Sequence, residues 1–294
     1  MARMLFSGVL GLAVALGLGG CGHHDDDTNG KTTETTPPDG SDTSGLNATD
    51  PRWVSRDPQH PHKIAVVFVH GLFGDTLGTW TNANGKSLYG LLRDDPALGP
   101  NVDIYAFGFT SKMFSGGSLK IGEAAIKLND SLQRDGVDKY DQIVFVAHSM
   151  GGLVTMRELI SHPEIRAKTP LLVFYATPQL GSQITAIAQH VANNNAVRQM
   201  LPVDANDYLQ QLDEDWVNVR NTTPRPTMVC GYETRSTDGV VIVPWSSSTA
   251  HCDQVASPIE DSDHITLVKP DRAAHPSVTV LVNALNKYAM PALD

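Results

Sequence analysis

Cysteine is scarce in this chain, with three in 294 residues. That is too few for a small scaffold held together by disulfides. Basic residues are outnumbered, 22 Lys and Arg against 32 Asp and Glu, for a net charge of −10. A balance that acidic lacks the positive surface that general nucleic-acid binding needs. No GxxxxGK[ST] phosphate loop occurs, nor a GxGxxG between a strand and a helix, and there is no internal repeat. What the chain does have is a 41% apolar fraction, enough for a sizeable core and too much for a mostly disordered polymer. Its length suits one large α/β domain or two small ones.

The acidity is uneven. Residues 1–21 carry +1, residues 22–50 carry −6, and the other 244 residues carry −5. Residues 1–20 open with Arg3 and run on as an apolar, glycine-bearing stretch at the short end for spanning a membrane, with the flanks of a signal peptide. Leu18-Gly19-Gly20-Cys21 resembles the bacterial lipobox, in which cleavage before the cysteine leaves it carrying lipid. That resemblance implies anchoring through Cys21 in a bacterial cell envelope. Gly22 stands where Asp would favour inner-membrane retention, which points to the outer membrane. The alternative is an ordinary signal peptide, or an uncleaved anchor, with an incidental cysteine. Residues 21–52 hold almost no large apolar side chains and read as a disordered, self-repelling acidic tether. His23-His24 ahead of three aspartates reads as part of this solvated charge run rather than as a metal site.

From residue 53 onward the texture is that of a folded catalytic domain. Residues 63–70 (KIAVVFVH) are nearly continuously apolar and β-branched, as in a strand buried on both faces. Similar runs occur at 102–109, 142–147, 171–176 and 227–231. Helical patterns fall at 87–93, 119–134, 151–161, 182–191, 205–219 and 277–288. Buried strands alternating with amphipathic helices predict an α/β fold, a mostly parallel sheet with helices on both faces.

The chemistry concentrates where the third of these runs ends, in Ala147-His148-Ser149-Met150-Gly151. A buried strand runs into a serine and a helix starts at once, which is the context of a nucleophile elbow. The turn is sharp, so the positions two before and two after the serine must be small; they are Ala147 and Gly151. The first is usually glycine, and several bacterial lipases share the alanine variant. A helix N-terminus beneath Ser149 favours the negative charge that develops in acyl transfer. The oxyanion needs two backbone N–H donors. Met150, after the nucleophile, supplies one; the glycine-flanked loop His70-Gly71-Leu72-Phe73-Gly74 supplies the other, assigned to Leu72 with Phe73 next to it. His70 reads as a structural hydrogen-bonding residue. The base is expected in a polar loop before the last helix, which favours His264 and leaves His251 and His275 as alternatives; His162 and His190 come too early in the chain. The acid belongs after the strand at 227–231, where Glu233 and Asp238 compete. Asp263 is poorly placed, directly before the histidine.

These segments together resemble the α/β-hydrolase superfamily, and more closely its lipase-like serine esterases, relatives of the GPI-inositol deacylase and bacterial lipase groups. The matching stretches are VFVHGLFGDTLGTW (67–80), 144–153, ATPQLGS (176–182) and SDHITLVKP (262–270). The resemblance implies an α/β-hydrolase fold and cleavage of small-molecule or lipid carboxylic esters through an acyl-enzyme, with no cofactor and no metal. Thr237-Asp238-Gly239-Val240-Val241 resembles the N-D-G-[LM]-V segment of bacterial lipases, which implies Asp238 as the acid and leaves Glu233 as the alternative. In that reading Ser149 attacks, His264 moves the proton, Asp238 orients His264, and Leu72 and Met150 hold the oxyanion.

Some readings stay open at this level. Residues 182–220 could cap the site or form two surface helices. The Gly/Ser-rich loop at 110–119, with Met113 and Phe114, could rim an acyl pocket. An exported location permits a disulfide between Cys230 and Cys252 around the acid loop; the alternative is two free thiols. A catalytically inactive envelope scaffold, or thioester or amide hydrolysis by the same triad, are the rival functions. Oligomeric state is not legible.

Overall fold

A computed structural model describes residues 46–59, 61–110, 120–181 and 207–293. The expected signal segment, Cys21, the tether up to residue 45, the loop at 111–119 and the first part of the candidate cap (182–206) lie outside the described residues.

In chain order the elements are β1 (Arg52–Ser55), β2 (Ile64–Val69), α1 (Leu88–Arg93), β3 (Val102–Phe107), α2 (Ile121–Arg134), β4 (Gln142–His148), α3 (Met150–Ser161), α4 (Pro163–Ala167), β5 (Leu171–Tyr175), α5 (Asp207–Arg220), β6 (Thr227–Glu233), α6 (Trp245–Ser248), β7 (Ser257–Ile259) and α7 (Pro276–Tyr288). Among the described residues the strands form one seven-stranded sheet in the order β1-β3-β2-β4-β5-β6-β7. It is parallel apart from β1, which runs antiparallel to β3. The residues of β2, β3, β4 and β5 are buried throughout, because α2, α3 and α5 pack on one face while α1 and α7 pack on the other. Near-continuous apolar runs are what such doubly covered strands require.

The chain leaves β2 for β3 on one side and returns across it to β4 on the other. That reversal beside β2 opens a crevice at the carboxyl ends of β2 and β4, where open parallel sheets bind ligands. The loop at 70–76 and Ser149 both lie there.

β1 and β7 had no sequence signal. Arg52-Trp53-Val54-Ser55 carries no long apolar run, and Ser257-Pro258-Ile259 contains a proline, which an edge strand tolerates. The strand expected to stop at 231 continues to Glu233. Residues expected to belong to the tether also pack on the body: Asn47–Asp50 closes a turn through Asp50 N–H to Asn47 O (3.0 Å), and Thr76 N–H donates to Ala48 O (2.9 Å).

One buried acid has no role in the crevice. Glu158 on α3 is fully buried, and neither carboxyl oxygen has a hydrogen-bond partner among the described residues. His162 Nδ1 lies 3.2 Å away without hydrogen-bond geometry. Burial, reinforced by Glu164 and Asp130, pushes its pKa up from the ordinary 4.5 to about 8. Between those values the folded chain holds a proton that the unfolded chain releases, so stability falls as pH rises through the window. Glu158→Gln is therefore expected to match wild type near pH 4–5. At about pH 9 it should melt some 5–10 °C higher, for a gain of about 2–4 kcal/mol. Thermal melts at both pH values check this; an equal offset at each would refute it.

Candidate active site

The polypeptide turns from β4 into α3 at Ser149 with φ 54° and ψ −129°. A serine rarely occupies that region, and surrounding structure must hold it there. Ser149 N–H donates to Tyr175 O on β5 (2.9 Å). The helix behind the turn packs so closely that a Cβ on Gly151 would lie 2.2 Å from Val69 O, and one on Gly152 would lie 2.2 Å from Thr177 Oγ1. The need for a small residue two places after the serine is thus a contact with the end of β2.

Ser149 Oγ sits 3.0 Å from His264 Nε2, with both side chains buried. His264 reaches it from the loop after β7. Two hydrogen bonds fix that loop. His264 N–H donates to Thr237 Oγ1 (3.1 Å), and His148 Nε2–H donates to His264 O (2.8 Å). A carbonyl can only accept, so His148 carries its proton on Nε2. Burial holds the pKa of His148 well below the usual histidine range, which keeps it a neutral donor.

The carboxylate beside His264 is Glu233, at the end of β6. Its Oε1 lies 3.8 Å from His264 Nδ1 and accepts from Val243 N–H. Glu233 Oε2 and His264 Nδ1 are both buried and have no hydrogen-bond partner among the described residues. Catalytic hydrogen bonds are often this loose without substrate and tighten later.

Asp238 stands elsewhere, which corrects the expectation drawn from the T-D-G-V-V segment. It is exposed, at φ 49°, and followed by Gly239 at φ 83°. The two form the tip of a tight turn closed by Thr237 and Val240, whose backbone groups exchange hydrogen bonds of 2.9 and 3.0 Å. The segment does serve the site, through the Thr237 hydroxyl and not through the Asp238 carboxylate. The other histidines considered as bases are also taken up elsewhere. His251 Nε2 pairs with Asp213 Oδ1 (2.6 Å), and His275 caps the N-terminus of α7.

The loop after β2 lies against the serine. A Cβ on Gly71 would come within 2.6 Å of Ser149 Cβ, so only glycine fits there. His70 is buried and shapes this loop: its Nδ1–H donates to Gly71 O (2.8 Å), and its Nε2 accepts from Phe109 N–H (3.1 Å). Desolvation lowers its pKa to about 4, as a neutral strut requires. Leu72 follows and lines a cavity of about 310 Å³ with Phe73, His148 and Ile265. Leu72 N–H reaches no backbone acceptor among the described residues, and Met150 N–H, first in its helix, has no intrahelical carbonyl to meet. Cys230 and Cys252 form a disulfide, Cα atoms 6.0 Å apart, closing the segment that carries Glu233 and Thr237.

Sequence reasoning missed His148 and Thr237. A polar residue ending the fully apolar run of β4 was a signal for the first; the second had none, because its partner is remote in the chain. Replacing His148 with Leu is expected to lower turnover by roughly 10–100-fold, the scale of a small misplacement at a reacting centre. His148→Gln should recover part of it, since an amide can still donate. Equal turnover for His148→Leu and wild type would remove this role.

Residues 66–285 match the alpha/beta hydrolase family, and the chain belongs to that family. No curated protein matches it. Among solved structures it is similar to the mature lipase BlEst2 of Bacillus licheniformis (16% identity, covering 82% of this chain and 98% of that one, TM-score 0.55). It is also similar to phospholipase PlaB of Legionella pneumophila, solved with thio-NAD (14% identity, 76% of this chain, 58% of that one, TM-score 0.59). A third likeness is to a structure described under LipS and LipT, two metagenome-derived lipolytic enzymes (12% identity, 83% of this chain, 99% of that one, TM-score 0.53). At these identities the likeness is one of fold.

Proposed function

We propose that the protein is a serine hydrolase of carboxylic esters acting through an acyl-enzyme, held to a bacterial cell envelope by lipid on Cys21. The observation that carries the reading is the 3.0 Å approach of His264 Nε2 to a serine on a strained strand-to-helix turn. In this reading His264 takes the Ser149 proton as Oγ attacks the acyl carbon, and the resulting oxyanion is held by the N–H groups of Leu72 and Met150. Collapse of the tetrahedral intermediate expels the alcohol, to which His264 returns the proton. Water then repeats the cycle on the acyl-enzyme. Glu233, rather than Asp238, stabilises the imidazolium. The lipolytic names of the structural neighbours support an ester over an amide.

The test is covalent. An alkyl fluorophosphonate should add one phosphonyl group to Ser149, located by peptide mass spectrometry. The protein should also cleave acyl esters faster than thioesters or amides of equal chain. Absence of both labelling and ester cleavage would leave an inactive scaffold; faster amide cleavage would move the reaction class.

A further inference from the structure

The described chain begins on the catalytic edge of the sheet. β1 runs antiparallel to β3, so Arg52 pairs with Ala106 near the carboxyl end of that strand. Just before it, Thr76 donates from its hydroxyl to Asp50 O (3.1 Å), and a Cβ on Gly108 would lie 2.4 Å from Thr49 O. Residues 48–50 are thus packed between the loop that bears Leu72 and the end of β3. The 25 residues from 22 to 46 separate this point from Cys21, and they can reach at most about 80–90 Å. Attachment at the opposite end of the strands would set the crevice a domain's width farther off, roughly 45 Å.

The same edge carries an apolar rim. Phe73 and Leu77 follow β2, Leu180 follows β5, Val241 and Trp245 follow β6, and Ile265 follows His264; each is between 36% and 62% exposed. Phe73 and Ile265 line the 310 Å³ cavity beside His148. Leu180 and α6 are joined by Ser247, whose Oγ accepts from Leu180 N–H and donates to Gly181 O. Trp80 and Trp216 are buried and Trp53 half-buried, so Trp245 is the tryptophan that stands in solvent. Scattered apolar side chains need no account, but several gathered in the loops at one end of the strands do. The charges in these loops do not sum to a cationic surface, since Lys86, Arg235, Lys269 and Arg272 are outnumbered by Asp75, Asp238, Glu260, Asp261, Asp263 and Asp271. Arg235 faces Asp261 (3.8 Å), Lys269 Nζ is given to Gly78 O (2.7 Å), and Asp238 and Asp263 are acids. Attraction to this rim would be apolar, not electrostatic.

We propose that this edge docks on the lipid surface that carries the Cys21 anchor, with Trp245 and Val241 seated among the acyl chains. The ester that reaches Ser149 is then an acyl lipid of that same surface. The proposal rests on the anchored-esterase reading above and names its substrate class.

The experiment uses the full-length lipidated chain carrying Ser149→Ala, in phosphatidylcholine vesicles with plain or brominated acyl chains. The emission component that disappears in Trp245→Phe should be blue-shifted in vesicles and quenched at least about twofold by bromine. That quenching should be indifferent to salt between roughly 0.05 and 0.5 M. In the active chain, the double substitution Val241→Ser, Trp245→Ser should lower hydrolysis of a vesicle-borne lipid ester about tenfold or more. Losing about 1.4 kcal/mol of apolar burial suffices for that. Cleavage of a dissolved short-chain ester should stay within about twofold. Trp245 untouched by brominated chains, equal losses on both substrates, or burial of Trp245 by self-association without lipid would each overturn the proposal. Quenching needs no turnover, so missing phosphonate labelling of Ser149 sinks the esterase reading separately. Cys21 found without lipid by mass spectrometry sinks the anchor and this proposal with it.

Discussion

Glu233→Gln is expected to lower ester turnover by about 10⁴, while Asp238→Asn leaves it within about twofold. The magnitude follows the equivalent loss in a protease triad, where removing the orienting carboxylate while keeping its shape costs that much. The physical basis lies in burial. When His264 takes the proton of Ser149, a positive imidazolium forms in a site that water scarcely reaches, and a charge there must be compensated. The carboxylate beside its free nitrogen is that of Glu233, 3.8 Å away. The amide of Gln can still accept from Val243 N–H, so the loop should keep its shape and the melting temperature should change little. Asp238 occupies an exposed turn whose positive φ asparagine tolerates. Steady-state kinetics on a short-chain ester, with thermal melts beside them, decide the matter. A crippled Asp238→Asn with a near-normal Glu233→Gln would restore the aspartate.

Ser149→Gly should remove activity by about 10⁶, the cost of losing the nucleophile in a comparable triad, and should make the protein more stable. Serine at φ 54°, ψ −129° stores strain of about 1–3 kcal/mol. Glycine adopts that conformation freely, at a cost of about 0.5–1 kcal/mol of extra freedom in the unfolded chain. The net expectation is a rise of a few degrees in melting temperature. Ser149→Ala should lose as much activity without that rise, since alanine inherits the strain. Equal melting temperatures for the two variants would mean the turn is not strained.

Much of this could be read before any coordinates. The β-branched runs of β2 to β5 declare strands covered on both faces. Ala147-His148-Ser149-Met150-Gly151 declares a turn so tight that small residues must flank it. These features are local: periodicity and steric crowding act over a few neighbours, and the chain records them directly. The position of His264 was also legible, because a polar loop ahead of the last helix is where a base is expected.

The acid was not. Glu233 and Asp238 are only five positions apart, and motif likeness favours Asp238. Continuation of β6 by two residues aims Glu233 into the crevice, and the turn at Asp238-Gly239 points its carboxylate at water. Which of two nearby carboxylates meets a histidine some thirty residues on depends on strand register and on where a turn closes. The same holds for Thr237 and His148, whose hydrogen bonds to the His264 backbone span 27 and 116 positions. Chemistry-bearing residue types were visible one by one in the chain. Their pairing belongs to the tertiary fold, because only packing decides which polar groups lose water together and must satisfy one another.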